Sequence, residues 1–182
     1  TYEQYRVHGN LEKVLEGTNN LVTAKRLAKA KRPFVDLQFI VFKHNEHQIE
    51  EVRALGKKLG VDRVSLKTAQ IYDYVNAADW VPADEDKARY RRAQDGSYVI
   101  KNKLMDHCWK LWHGAEITWD GRVLPCCFDK DAQHEMGRFP DEGSFNTIWN
   151  GASYKAFRRK LLTGRKGIDI CQNCTEGTKV WA

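Results

Sequence analysis

No apolar run in these 182 residues approaches the roughly 18 to 20 that a membrane-spanning helix needs. The opening Thr1-Tyr2-Glu3-Gln4-Tyr5-Arg6 is too polar for a secretory leader. Both absences point to a cytoplasmic protein with no membrane partner. The chain also lacks an initiating Met and opens in a helix-forming stretch, so it is expected to be a piece of something longer. No internal repeat is present. Basic charge is not gathered on one face either. Thirty Lys plus Arg stand against 24 Asp plus Glu, for a net charge of +6. The densest clusters are Lys25-Arg26 with Lys29 to Arg32, Arg89 to Arg92, and Arg158 to Lys160 with Arg165-Lys166. All lie in helical patterns with acids nearby, which reads as solvated helix faces and leaves nucleic acid a weak candidate partner. The apolar content of 42%, with 11% aromatic, suffices for a globular core.

Cysteine is missing before position 108 and after position 174, so all five fall in one stretch. An odd count in a reducing compartment argues against disulfides and for metal. Cys171 and Cys174, two residues apart, sit on one tight turn that presents both sulfurs to the same ion or cluster. Cys126 follows a hairpin pattern, with Ala115 to Trp119 as the first arm, Asp120-Gly121 as the turn and Arg122 to Leu124 as the return, ended by Pro125. Adjacent residues of an extended segment project to opposite sides, so Cys126 and Cys127 are not expected to reach the same site, and the one left over reads as a non-ligand thiol. Cys108, Cys171, Cys174 and one of that adjacent pair are then the candidate metal ligands. Spacing alone leaves both tetrahedral zinc and an iron–sulfur cluster open, although zinc ribbons usually carry two Cys-x-x-Cys knuckles and this chain has one. His107 and His113 bracket Cys108 but are not needed to complete a set of four. Trp109 and Trp112 are expected to cover the metal and exclude solvent.

Upstream, apolar residues from Leu11 to Ala28 recur at helical steps, with an expected kink or break around Gly17 to Asn20. Phe34 to Phe42 reads as a buried strand, Glu46 to Leu59 as a helix stopped by Gly60, and Val61 to Lys67 as a second strand. Strand, helix and strand make a βαβ unit, with parallel strands and a right-handed crossover. A connector follows, in which Ala83 to Tyr90 reads as an acid-led helix and Asp95-Gly96 as a turn. Gly137 to Gly143 reads as loop, Phe145 to Gly151 as a short helix and Ser153 to Leu162 as a longer one.

The pattern Cys108, twelve residues, Gly121, four residues, Cys126, then Cys171-Gln172-Asn173-Cys174 resembles the SPASM domain of radical S-adenosylmethionine (radical SAM) enzymes. Ile117 to Asp129, Met136-Gly137, Ser144 to Asn150 and Tyr154 to Arg158 carry the same likeness over about residues 106 to 178. Longer members have seven cysteines and two auxiliary clusters, and this chain resembles the shorter form with one. Gln38 to Glu46 and Leu59 to Asp62 are similar to the fifth strand, helix and sixth strand of the partial radical SAM barrel. The Cys-x-x-x-Cys-x-x-Cys loop that binds the primary cluster is absent from this sequence, so this polypeptide alone is not expected to cleave S-adenosylmethionine.

The resemblance implies an α/β barrel remnant over 1–80, a connector over 81–105 and a small α+β module over 106–182 holding one auxiliary [4Fe–4S] cluster on Cys108, Cys126, Cys171 and Cys174, with Cys126 chosen by its offset from Gly121 and Cys127 left as the non-ligand. It also implies electron transfer or substrate positioning, in an enzyme that modifies a peptide, a protein or a small metabolite. The expected partner is the N-terminal half of the barrel. Because ligands of parallel barrels collect at the C-terminal strand ends, Lys43, Asn45 and Lys67, with His44 and Thr68, are candidates to face S-adenosylmethionine or substrate. A zinc-stabilised interaction domain with no redox role is the alternative.

Overall fold

The computed structural model describes residues 2–174, and the chain divides into two compact units, residues 1–99 and 100–182. The division falls inside the segment expected as connector.

The first unit opens with a single helical turn, α1 (Tyr2–Tyr5), and a longer helix, α2 (Leu11–Leu27). Asn10 caps α2 by accepting the Lys13 N–H at 2.9 Å. The expected break at Gly17 does not occur. Gly17 stands on the open side of the helix, and its cost of about 1 kcal/mol against alanine is too small to interrupt a run held at both ends. Strand β1 (Asp36–Val41) then pairs in parallel with β2 (Arg63–Thr68), in register from Asp36 opposite Arg63 to Val41 opposite Thr68. Between them runs α3 (Ile49–Leu59), preceded by a 3₁₀ turn at Glu46–Gln48 and closed by Gly60 in the left-handed conformation. The strand–helix–strand reading is present, and the parallel pairing follows from the helical crossover.

Polar contacts fix the register. The Asp36 carboxylate accepts from the Arg63 guanidinium at 2.7 Å and the Ser65 hydroxyl at 2.8 Å, across the two strands. Asp62 accepts from Lys25 on α2 at 2.6 Å and from the Val35 N–H at 2.6 Å, which ties helix, strand and turn together.

The helix expected from Ala83 to Tyr90 is absent. In its place are a 3₁₀ turn at Glu85–Lys87 and a small hairpin of β3 (Tyr90–Arg92) and β4 (Tyr98–Ile100). Asp84 caps the turn so tightly, accepting the Asp86 N–H at 3.0 Å, that the acidic residues serve one turn only. Asp95-Gly96 forms the hairpin's turn as expected, with the Asp95 carboxylate accepting from Ser97.

The second unit contains a three-stranded antiparallel sheet, β5 (Glu116–Ile117), β6 (Arg122–Leu124) and β7 (Gly137–Arg138), and three helices, α4 (Phe145–Trp149), α5 (Ala152–Gly164) and α6 (Asp169–Gln172). Strand β7 lies where loop was expected. It forms because β6 offers a free edge that Gly137 and Arg138 pair with, opposite Val123 and Arg122. Val123, Met136, Ile148, Tyr154, Phe157 and Leu161 make the centre of a single core. No helix among the described residues is long and apolar enough to cross a membrane.

Two outcomes test this packing. A Cβ on Gly56 of α3 would lie 2.2 Å from Val64 Cγ2 of β2. Overpacking of that kind costs about 1–3 kcal/mol, against a gain of about 1 from helix propensity, so Gly56→Ala should destabilise by roughly 1 kcal/mol in denaturant unfolding. The same change made beside Val64→Ala should lose that penalty. The second outcome concerns acid. The Arg63 guanidinium, with help from Ser65, holds the Asp36 carboxyl down from its ordinary 3.8 to about 2. The stability this contributes is therefore complete above pH about 4 and lost as pH falls through about 2. Carboxyl-carbon NMR should show Asp36 titrating there, and a midpoint near 3.8 would mean that the cross-strand clamp does not form.

Candidate metal centre

The hairpin that precedes Cys126 turns through three residues. Thr118 donates its N–H to the Arg122 carbonyl at 2.9 Å, leaving Trp119, Asp120 and Gly121 as the loop. A three-residue loop of this kind needs a left-handed residue last, and Gly121 has φ +83°. Its Cα also lies close under the neighbouring loop, where a Cβ would meet the Phe139 carbonyl oxygen at 2.3 Å. The Asp-Gly pair was thus a correct turn signal, one residue longer than a two-residue turn. The Thr118 hydroxyl and Arg122 both bond Asp120, stiffening the corner.

Four cysteines line one cavity: Cys108, Cys126, Cys171 and Cys174. Each arrives on a different kind of support. Cys108 immediately precedes a 3₁₀ turn at Trp109–Trp112, and its carbonyl accepts the Leu111 N–H. Cys126 follows β6 and begins a turn in which its carbonyl accepts the Asp129 N–H at 3.1 Å. Cys171 lies in α6, and Cys174 just beyond it donates its N–H to the Cys171 carbonyl. Cys127 is exposed and does not line the cavity. None of the five is in a disulfide.

Long-range contacts hold these supports in place. Asp129, almost fully buried, accepts from the N–H groups of Gln133 at 2.8 Å and His134 at 2.9 Å, closing the loop after Cys127. His134 Nε2 meets Asp169 Oδ1 at 2.7 Å, joining that loop to the start of α6. On α5, the Tyr154 hydroxyl donates to the Leu124 carbonyl at 3.1 Å. Arg158 donates to the carbonyls of Leu111 and Trp149, while its guanidinium stacks 4.4 Å from the Trp149 ring and 4.7 Å from Tyr154. One helix thus braces both the hairpin and the Cys108 turn.

Burial decides the chemistry of the thiols. It pushes the Cys126 thiol up to about 12 and the Cys171 thiol up to about 11, the latter partly offset by the charge and hydrogen bond of Arg165. Without a bound cation these groups stay protonated at neutral pH, so metal must displace protons to bind. Four thiols on one cavity are a donor set that suits an iron–sulfur cluster and a tetrahedral zinc ion alike.

Several sequence expectations need correction. Trp109 and Trp112 do not wall the cavity; Leu111, Phe128, Phe157 and Leu161 do, and Trp112 is 44% exposed. The Trp109–Trp112 turn directs Leu111 inward and its tryptophans elsewhere. Nor is Arg165 part of a solvated basic face. It is fully buried against the cysteines, and Arg158 is half-buried among aromatic rings. Pattern reading missed the inward placement of Arg165 on the cavity and of Arg158 among the rings, since a basic run carries no mark of which member turns inward. Histidine plays a backbone part here: the His107 carbonyl accepts from Arg165.

In the first unit, Lys43 is exposed and donates to the Ala78 carbonyl at 3.0 Å. Asn45 is buried, and its side chain closes the end of β1 by accepting the Phe42 N–H at 2.8 Å and donating to the Ile40 carbonyl at 3.1 Å. The His44 ring packs against Phe42 and Trp80. Lys67 and Thr68 are exposed at the end of β2.

Replacing each cysteine by alanine separates ligand from bystander. The Cys108, Cys126, Cys171 and Cys174 variants should hold almost no iron after anaerobic reconstitution, and the Cys127 variant should hold as much as the parent. Iron lost with Cys127 and kept without Cys126 would reverse the assignment.

Residues 108–175 match the family model of SPASM, an iron–sulfur cluster-binding domain. The chain is 24% identical over 187 residues to the PqqA peptide cyclase of Gluconobacter oxydans (strain 621H), a match covering 88% of this chain and 48% of that protein. It therefore spans about half the length of the curated relative it matches. Among solved structures it is similar to selenomethionine BtrN in an open conformation, at 20% identity and a TM-score of 0.35, over 75% of this chain and 56% of that one. A score this low carries no argument.

Proposed function

We propose that this chain, which resembles the C-terminal portion of a radical SAM enzyme with a SPASM domain, binds one auxiliary [4Fe–4S] cluster through Cys108, Cys126, Cys171 and Cys174. The observation that carries this reading is the single cavity lined by those four sulfurs, with Cys127 outside it. Bound there, such a cluster supplies one-electron redox chemistry. The chain's own residues do the rest. Leu111, Phe128, Phe157 and Leu161 keep water from the sulfurs, the Phe128 N–H supports the Cys126 thiolate, and Arg165 supports Cys171.

The first unit is read as a remnant of the partial barrel over residues 1–80, whose intact form would bind S-adenosylmethionine. Its support is the parallel β1–α3–β2 unit, in which each strand keeps one unpaired edge among the described residues. Parallel sheets are normally larger and covered on both faces. Apolar residues of α2 such as Val14 and Leu21 are also more than 40% exposed, a face that the rest of a barrel would cover. In the intact protein the cluster module would relay electrons or position a substrate, and the peptide acted on by the cyclase relative makes a peptide or protein the favoured class over a small metabolite. Lys43 and Lys67 remain the exposed candidates at the strand ends facing that chemistry, and Asn45 would act from beneath, holding the loop after β1.

The zinc-stabilised interaction domain is separated by its metal. Protein purified without oxygen should be brown, hold about four irons and four sulfides per chain, and bleach on reduction. A colourless protein with one tight zinc and no reducible chromophore after reconstitution would sink the electron-transfer reading.

A further inference from the structure

Arg165 is the largest fully buried side chain among the described residues, and it stands beside the four cysteines. It occupies the first position of a 3₁₀ turn, Arg165–Gly167, directly after α5. The placement is held from two sides. Asp106 Oδ1 accepts the Arg165 backbone N–H at 2.8 Å, and Arg165 Nη1 donates to the His107 carbonyl at 2.8 Å. The same side chain lines the cavity that Cys108, Cys126, Cys171 and Cys174 share. One side chain therefore joins the backbone next to Cys108 to the cavity that the four sulfurs line. A guanidinium keeps its charge at any pH at which the protein folds, and a charge buried this deeply is costly unless opposite charge lies close.

We propose that Arg165 is a positioning residue that raises the reduction potential of the cluster held by Cys108, Cys126, Cys171 and Cys174. The inference rests on the cluster reading above and adds to it the group that tunes the centre. Four thiolates on an oxidised cubane core carry a net charge of about −2, and one electron takes it to about −3. No bond to a ligand is made or broken in that step, no proton moves, and the electron comes from an external one-electron donor. A fixed positive charge buried beside the ligand sulfurs favours the more negative state, so reduction becomes easier. Because arginine does not titrate, its contribution is the same across the pH range of the folded protein.

The test is a redox titration, followed by electron paramagnetic resonance, of the anaerobically reconstituted chain and its Arg165→Gln and Arg165→Lys variants, with iron and sulfide measured on each. Arg165→Gln should keep the cluster and show about tenfold less reduced form at a given potential, a shift of about 59 mV to lower values for one electron. Arg165→Lys should recover part of that shift. A fully loaded Arg165→Gln protein with the parent's potential would overturn the proposal. Should the variants fail to load, the parent decides: with guanidino-¹⁵N arginine, the reduced cluster should show a weak ¹⁵N coupling and an exchangeable proton by electron–nuclear double resonance, and their absence would overturn it equally. A parent chain that takes up no iron would instead overturn the cluster reading on which the inference rests.

Discussion

A module of this size, with strands of two or three residues, buries too little apolar surface to hold distant loops by core packing alone, and its structure depends on how α5 gathers those loops. Tyr154, Phe157 and Leu161 turn one face of the helix into the core. Tyr154 and Arg158 then reach out from it by hydrogen bonds to carbonyls of the β6 strand and the Cys108 turn. The end of the helix delivers Arg165 to the cysteines. Remove that face and the three cysteine-bearing segments lose their common support.

Electrostatics reinforce the same arrangement. Burial keeps the thiols neutral, and a buried guanidinium is costly without opposite charge beside it. In the cluster-bound form proposed above, the thiolates and the arginine would become complementary once the protons had left. Metal binding would then contribute folding free energy as well as chemistry.

The first unit obeys a different constraint. Its parallel strands take register from paired polar groups, Asp36 with Arg63 and Ser65, and Asp62 with Lys25 and Val35, and from the tight approach of Gly56 to Val64. Among the described residues each of its strands keeps one unpaired edge, and apolar side chains of α2 such as Val14 and Leu21 stay exposed.

Local signals determined much of this from the residues alone. Periodicity and a terminal glycine specified β1–α3–β2, and the Asp-Gly pair specified the turn before Cys126, because helices, strands and tight turns are set by neighbours within a few residues. Cysteine spacing marked Cys171 and Cys174 as a pair for the same reason, since a knuckle is a local object, whereas their meeting with Cys108 and Cys126 on one cavity is a long-range fact. What only the tertiary structure decided are the facts that depend on residues far away in sequence. Gly17 did not break α2, Gly137 found a strand edge, the tryptophans beside Cys108 faced away from the cavity, and two arginines of basic runs turned inward. Burial of Arg165 was invisible to pattern because a charge is admitted to an interior by partners that only the folded chain brings to it, here the His107 carbonyl and the cavity of the four cysteines.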